Sequence, residues 1–408
     1  MPEQPAWRFQ KVIKPMFDLP AEHLVLKGRV LTCVNQEVIE EGFVEIEAGK
    51  IKAVGSAAEL GDVTAEIIKT NGTILPGLFN NHAHLSWDGI HDLAQQSLYD
   101  GPEIAAYKAA GNMLLSLRSG VTTVRDLGVN SSNIVTKQAV EQGIFPGPRL
   151  LITGASIVQT GGHTYWVCRE ASGADEMRRA VREQVRGGAD LIKIMACHDT
   201  LEFTDEEMHA VIDEAHRNGL PTTAHATDND SIERVVRFGI DVVEHGGKMT
   251  DETIQLLVDR KVPIVTTFSA VVMQAVAEVA RKYNIPEWKI EERQKAKADK
   301  TRYESLVRAA NAGVAIAFGT DAGSPVVQHN VIVPEMKFMV DLGVVNGNYG
   351  VIKSATIVSA ALNKLEDKLG TLEVGKLADV IVVDGDPIEN LDALERVRMT
   401  FKEGKRLI

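Results

Sequence analysis

From His23 to Gly55 the chain alternates apolar and polar positions in short runs, LVLKGRVLTCV and GFVEIEAGKIKAVG, interrupted at Gly-bounded turns. A period of two places every second side chain on one face, so these runs predict antiparallel hairpins. After Thr73 the texture changes. Apolar runs of strand length now alternate with amphipathic helical stretches, the pattern of parallel βα units covered on both faces. Eight such runs follow in order, at 73–85, 121–128, 149–157, 190–197, 221–227, 241–247, 262–268 and 314–323. Eight is the strand count of a (β/α)8 barrel, and the interval is near the about 250 residues such a barrel occupies. The stretches 175–187, 205–218 and 289–312 have a helical period suited to an outer ring. Beyond the barrel, 369–391 and the terminal VRMTFKEGKRLI return to the β-rich texture. The expected fold is α/β: a (β/α)8 TIM barrel over 76–365 beside a discontinuous β-sandwich built from 1–75 and 366–408.

Composition excludes several classes. With 44% hydrophobic and 25% charged residues and no biased tract, the chain matches globular enzymes rather than disordered or fibrous proteins. No run approaches the length of a membrane helix, and the first residues lack a basic-then-apolar signal, so a soluble, cytoplasmic protein with no membrane partner is expected. Lys and Arg number 44 against 56 Asp and Glu, a net charge of −12 that repels polyanions and argues against nucleic acid as a partner. Cys33, Cys168 and Cys197 have no CxxC spacing. Neither a disulfide framework nor a thiolate zinc site is indicated, and Cys33 reads as a small buried apolar residue.

The active site of a parallel barrel lies at the C-terminal strand ends, and the polar residues there are not random. The first run ends in His82-Ala83-His84, the fourth contains Lys193, the fifth ends in His225, the sixth in His245 and the eighth in Asp321. His82 and His84, two apart on a strand, face the same way and can bind one ion. Singly, each histidine is more often a core or surface residue; jointly, at strand ends, they point to metal ligation. Lys193 sits in the apolar run DLIKIMAC, where an unpaired ammonium is costly. It is either paired with an acid or is a desolvated amine that reacts with carbon dioxide to give a carbamate bridging two cations. Four imidazoles, a carbamate and a carboxylate suit two divalent ions, zinc foremost, that hold a bridging hydroxide at neutral pH.

Taken together, LPGLFNNHAHL, GVTTVRDLG, TGGH, LIKIM, AHA, VVEHGG, FGTDAG and GTLEVGKLADVIVVDGDP resemble the amidohydrolase superfamily over nearly the whole chain. The resemblance implies the barrel with its appended β-sandwich. It implies that His82, His84 and Asp321 hold one metal, that His225 and His245 hold the second, and that a carboxylated Lys193 bridges both. The lysine and the series TGGH, IKIM, EHG and GTDAG look most like the prolidase and Xaa-Arg carboxypeptidase branch, which is related to imidazolonepropionase. Members of that branch hydrolyse dipeptides and N-acyl amino acids and commonly form oligomers, so a small-molecule substrate and a homo-oligomer are expected. Asp321 is then the base that takes the proton of the attacking hydroxide source and returns it to the leaving nitrogen. The resemblance also gives His163 a contact with the substrate carbonyl or oxyanion and places His329 at the pocket.

Two departures bear on the substrate. The branch continues strand four as Ala-Thr/Ser-Gly-Gly, whereas this chain has Ala196-Cys197-His198-Asp199; after the strand-five histidine it has Ala-Tyr-Gly, here Ala226-Thr227-Asp228. His198 and Thr227 therefore mark a changed rim. They favour, as an alternative to a dipeptide or N-acyl amino acid, a carbamate, urea or cyclic amide; a mononuclear deaminase with unmodified Lys193 is a further alternative. Tyr165 and Arg169, in the loop after strand three, offer a hydroxyl and a guanidinium to a substrate carboxylate. Arg125 and Asp126 read as a buried pair, and 273–297 as a charged helical stretch facing solvent, with a lid or subunit contact as its other use.

Overall fold

The computed structural model describes residues 23–408 apart from His91, Val129, His198 and Asp199. Eight strands make the barrel: β1 Leu78–Ala83, β2 Val121–Asp126, β3 Arg149–Ile152, β4 Ile192–Met195, β5 Thr222–Ala226, β6 Val242–His245, β7 Ile264–Thr266 and β8 Ile316–Phe318. Parallel registers join β1 to β3 in one run and β4 to β8 in another. Backbone hydrogen bonds close the gaps. Asp190 N donates to Ile152 O at 2.8 Å between β3 and β4, and His84 N to Ala322 O at 2.8 Å where β8 meets β1. Strand residues such as Val124, Ile194, Val243 and Ile264 share one apolar core with Met177, Val211, Val235 and Leu306 of the surrounding helices. Each such side chain contributes about 1.5–3 kcal/mol on burial.

The helices expected at 175–187 and 205–218 run Ala174–Gly187 and Asp205–Arg217. Gly188, in the left-handed region, ends the first, and a Thr204–Glu207 capping box starts the second. The stretch 289–312 is not one helix. Glu287–Ala298 stops at Asp299, whose carboxylate caps the start of Lys300–Asn311 by accepting from Thr301 N at 3.1 Å.

The run at 73–85 serves two sheets. Strand Glu66–Pro76 ends in a second sheet, and β1 begins after Gly77, where a Cβ would lie 2.2 Å from Thr122 Oγ1. The run at 149–157 divides likewise. Its end starts a short strand, Ile157–Gln159, paired with Arg169–Ala171, and the loop between them reaches the barrel mouth. The second sheet has seven strands in the order Lys405–Arg406, Val397–Lys402, Val380–Val383, Glu66–Pro76, Leu24–Leu31, Val38–Glu47 and Lys50–Ser56. Segments from both ends of the chain thus interleave around their own apolar cluster, which includes Leu26, Ile46, Val380 and Phe401. Arg149 ties this sheet to the barrel through Asp379 and Glu403, each at 2.7 Å. No helix among the described residues is long and apolar enough to cross a membrane.

Candidate metal centre and its cavity

β1 carries His82 and His84 to the C-terminal mouth with ring centroids 5.3 Å apart. His245, at the end of β6, brings its ring 4.6 Å from that of His82 and 4.5 Å from that of His225 on β5. Asp321 Oδ1 lies 3.5 Å from His82 Nε2 and 3.2 Å from His84 Nε2. One donor atom each from His82, His245 and Asp321 falls within 4.8 Å of the others, a span that one ion can bridge. His245 and Asp321 both adopt left-handed backbone, φ 70° and 57°. For non-glycine residues this costs about 1–3 kcal/mol and persists where the surroundings enforce it. Here Asp321 N is held to His82 O at 2.9 Å. Gly319 permits the close approach, since a Cβ there would stand 2.9 Å from His82 Cβ.

The outward nitrogens of three rings are fixed. His82 Nδ1 donates to Glu244 Oε2 at 2.7 Å, His84 Nδ1 donates to Gly128 O at 2.6 Å, and His245 Nδ1 lies 2.7 Å from Thr267 Oγ1. Each Nε2 is thereby free to turn toward a ligand. Burial, with neighbouring cationic groups adding to it, pulls His82 below its ordinary pKa and His225 and His245 well below theirs. Asp321 stays ionised: burial opposes this, but His82 and His84 together hold its carboxyl well below the usual range. His84 is held above its ordinary pKa instead: burial opposes this, but Asp321 and the Gly128 carbonyl favour its cation, so a metal ion would have to displace that proton. Neutral imidazoles at His82, His225 and His245 beside a carboxylate are the donor set that a divalent cation needs, so these residues fit a metal ion.

Glu244 is wholly enclosed. Burial would raise its pKa, but Arg125, at 3.4 Å, and His82 keep the carboxylate charged. Arg125 therefore pairs with Glu244 and not with Asp126. Consecutive strand residues point to opposite faces, so the pair expected from sequence is not formed; Asp126 instead accepts from Gly128 N at 3.1 Å and is pushed up to about 6 by burial. Lys193 is 1% exposed, and burial lowers its amine to about 8; Glu244 and Asp321 act on it through charge without a hydrogen bond.

His82, His84, Lys193, His225, His245 and Asp321 all line one cavity of about 570 Å³, together with His163 and Thr227. The His163 ring stands 4.5 Å from that of His225, and its backbone N–H donates to Glu202 at 2.6 Å. Burial raises the Glu202 carboxyl to about 7. Tyr165 and Arg169 do not line the cavity. Tyr165 is 51% exposed and its neighbour Trp166 takes the inward place; Arg169 is held outside by Glu183 at 2.7 Å and Glu176 at 3.3 Å. His329 is buried behind the wall, Nε2 3.1 Å from Trp87 O, and burial lowers it to about 4. His198 lies outside the described residues.

Much of the wall was missed in the sequence. The stretch 273–297 is not simply a solvated face, because Gln274, Ile285, Trp288, Lys289 and Arg293 border the cavity. Trp87, Trp166 and Arg302 also line the cavity. A lone loop tryptophan has no periodic signature, so only coordinates reveal it.

An ion-binding donor set at the C-terminal mouth of a (β/α)8 barrel stands where such barrels place their chemistry. Residues 73–407 match the model of the Amidohydrolase family, and the chain belongs to that family and acts on C–N bonds. It is 25% identical over 373 residues to the ochratoxinase of Aspergillus niger, covering 81% of this chain and 75% of that one. The crystal structure of a Xaa-Pro dipeptidase with bound methionine in the active site is similar with a TM-score of 0.84 and 29% identity, over 94% of this chain and 99% of that one. A prolidase complexed with N-methylphosphonate-L-proline gives 0.84 and 28%, with the same 94% and 99% coverage.

Proposed function

We propose that the chain hydrolyses the amide bond of a dipeptide or an N-acyl amino acid. The convergence of His82, His84, Lys193, His225, His245 and Asp321 on one cavity carries this reading, and the likeness to a Xaa-Pro dipeptidase supports the substrate class. His82, His84 and Asp321 would hold one divalent ion and His225 and His245 a second, zinc suiting both, with carboxylated Lys193 between them. Two such ions supply an acidified water and a Lewis acid for the substrate oxygen.

The chain's own residues do the rest. A carboxylate has two oxygens, so Asp321 can face the ligands with one and take the water proton with the other, then return it to the leaving nitrogen. His163, beside His225, is the donor for the charge that develops on the carbonyl oxygen. Lys193 reaches its anionic form by bonding its nitrogen to the carbon of carbon dioxide and releasing a proton, which replaces a buried ammonium with an anion that cations welcome.

Amino acid release from a panel of dipeptides and N-acyl amino acids by metal-loaded protein tests the reading, with His82→Ala as control. Turnover of a subset that vanishes in the control supports it. No turnover from protein carrying two ions per chain transfers the reading to carbamates, ureas or cyclic amides, which Thr227 favours by lining the cavity where the branch has tyrosine. One ion per chain favours the deaminase alternative.

A further inference from the structure

Building on the amide-bond reading of this cavity, we propose that Arg302 receives a carboxylate of the substrate, so that the protein selects amides whose amine side carries a free acid. Arg302 lies in helix Lys300–Asn311 and lines the cavity with His245 and Thr267. Its guanidinium makes no hydrogen bond or ion pair to a described residue, and its Nε is enclosed without a partner. Arg302 is half-buried, and a guanidinium keeps its charge, so its enclosed Nε is a cost that a bound anion would reduce while meeting the outer nitrogens.

The neighbours leave that role open. Lys289 pairs with Glu292 at 2.8 Å, and Arg293 Nε donates to Gln274 at 3.3 Å. Of the two acids lining the cavity among the described residues, Asp321 faces His82 and His84, and Asp92 accepts from Gln95 N at 2.8 Å. Glu335, whose charge reaches Arg302, is held by Phe268 N and Ser269 N at 2.8 and 2.6 Å. A protein of net charge −12 thus presents three cationic side chains on this side of its cavity. An anion is drawn there rather than to the general surface. The planar fork of Arg302 can meet both carboxylate oxygens, while Trp87, Trp166 and Trp288 offer apolar faces to the remainder of the substrate.

The test pairs each N-acyl amino acid and dipeptide of the panel with its C-terminal carboxamide, and measures release of the amine in wild type, Arg302→Met and Arg302→Lys. Wild type is expected to prefer the acid by about 100-fold in kcat/KM. Arg302→Met should cut that preference to about 10-fold or less, chiefly by raising KM for the acid, and Arg302→Lys should restore part of it. The preference is a ratio within one variant, so partial loss of folded protein does not alter it; Arg302→Gln is read in the same way where Arg302→Met is insoluble. Wild type that cleaves both members equally, or a preference unchanged in Arg302→Met, overturns the role of Arg302 and leaves the amide reading standing. Wild type that cleaves neither overturns both.

Discussion

On one side of the cavity, His82, His84, His245 and Asp321 stand at the ends of β1, β6 and β8; the outward nitrogens of the three rings are held by Glu244, Gly128 and Thr267, and the carboxylate by His82 and His84. On the other, Gln274, Trp288, Lys289, Arg293 and Arg302 come from the segment between β7 and β8, where short helices meet at irregular joints and the Arg302 Nε has no partner among the described residues. On the first side each group is held by another. The second is fixed mainly by packing. A barrel keeps its chemistry on strand ends and lets loops choose the substrate, so changes on the first side should abolish turnover and changes on the second should redirect it.

The sharpest way to break that contrast is Asp321→Asn. The amide is nearly the same shape and still offers an oxygen to an ion, but it cannot take a proton. Turnover should fall by about 1000-fold or more while bound metal, measured by elemental analysis, stays close to wild type. Normal turnover would remove Asp321 from the base role. Lys193→Ala comes next: it deletes the atom on which the carbamate forms, so the metal content should drop from about two ions per chain toward one, with a corresponding loss of activity. An unchanged metal content would remove the bridge.

Glu244→Gln probes the layer behind the ligands. It retains the size and one oxygen for His82 Nδ1 but removes the charge that balances Arg125 and orients the ring. Metal affinity, from competition with a chelator, should weaken by about 10- to 100-fold, whereas the folded content seen by circular dichroism should change far less. An affinity equal to wild type would reduce Glu244 to a counter-ion for Arg125.

Legibility in the sequence followed the same contrast. His82 and His84 were readable because a strand's period of two is strict, and Lys193 because a charge inside an apolar run demands a reason. The cost of burying a charge singles out Glu244 in VVEHGG equally. Arg125 and Asp126 are neighbours in sequence but not in space, because β2 turns them to opposite faces. The eight strands were found, but Gly77 and Asp299 cut two continuous patterns at a crossing and a cap that hydrophobicity does not register. Tyr165 and Arg169 stand away from the cavity for another reason. Their direction depends on the short pairing of Ile157–Gln159 with Arg169–Ala171 and on Glu183, features without any local signal.

The smallest expected effect falls on Trp288, which is 65% exposed yet borders the cavity beside Pro286 and Lys289. Because so much of the ring is already in water, Trp288→Ala should change thermal stability by no more than about 0.5 kcal/mol. Its cavity-facing part is a different matter: an apolar substrate group that loses this contact gives up area buried equally in the ground and transition states. KM for substrates with large apolar groups should rise by about 3- to 10-fold with kcat nearly constant, and KM for small ones should hardly move. Steady-state kinetics across a series of increasing side-chain size distinguishes the outcomes. A fall in kcat with KM unchanged would mean that this loop wall acts on the reacting groups, and the division of labour between strand ends and loops would not hold in this protein.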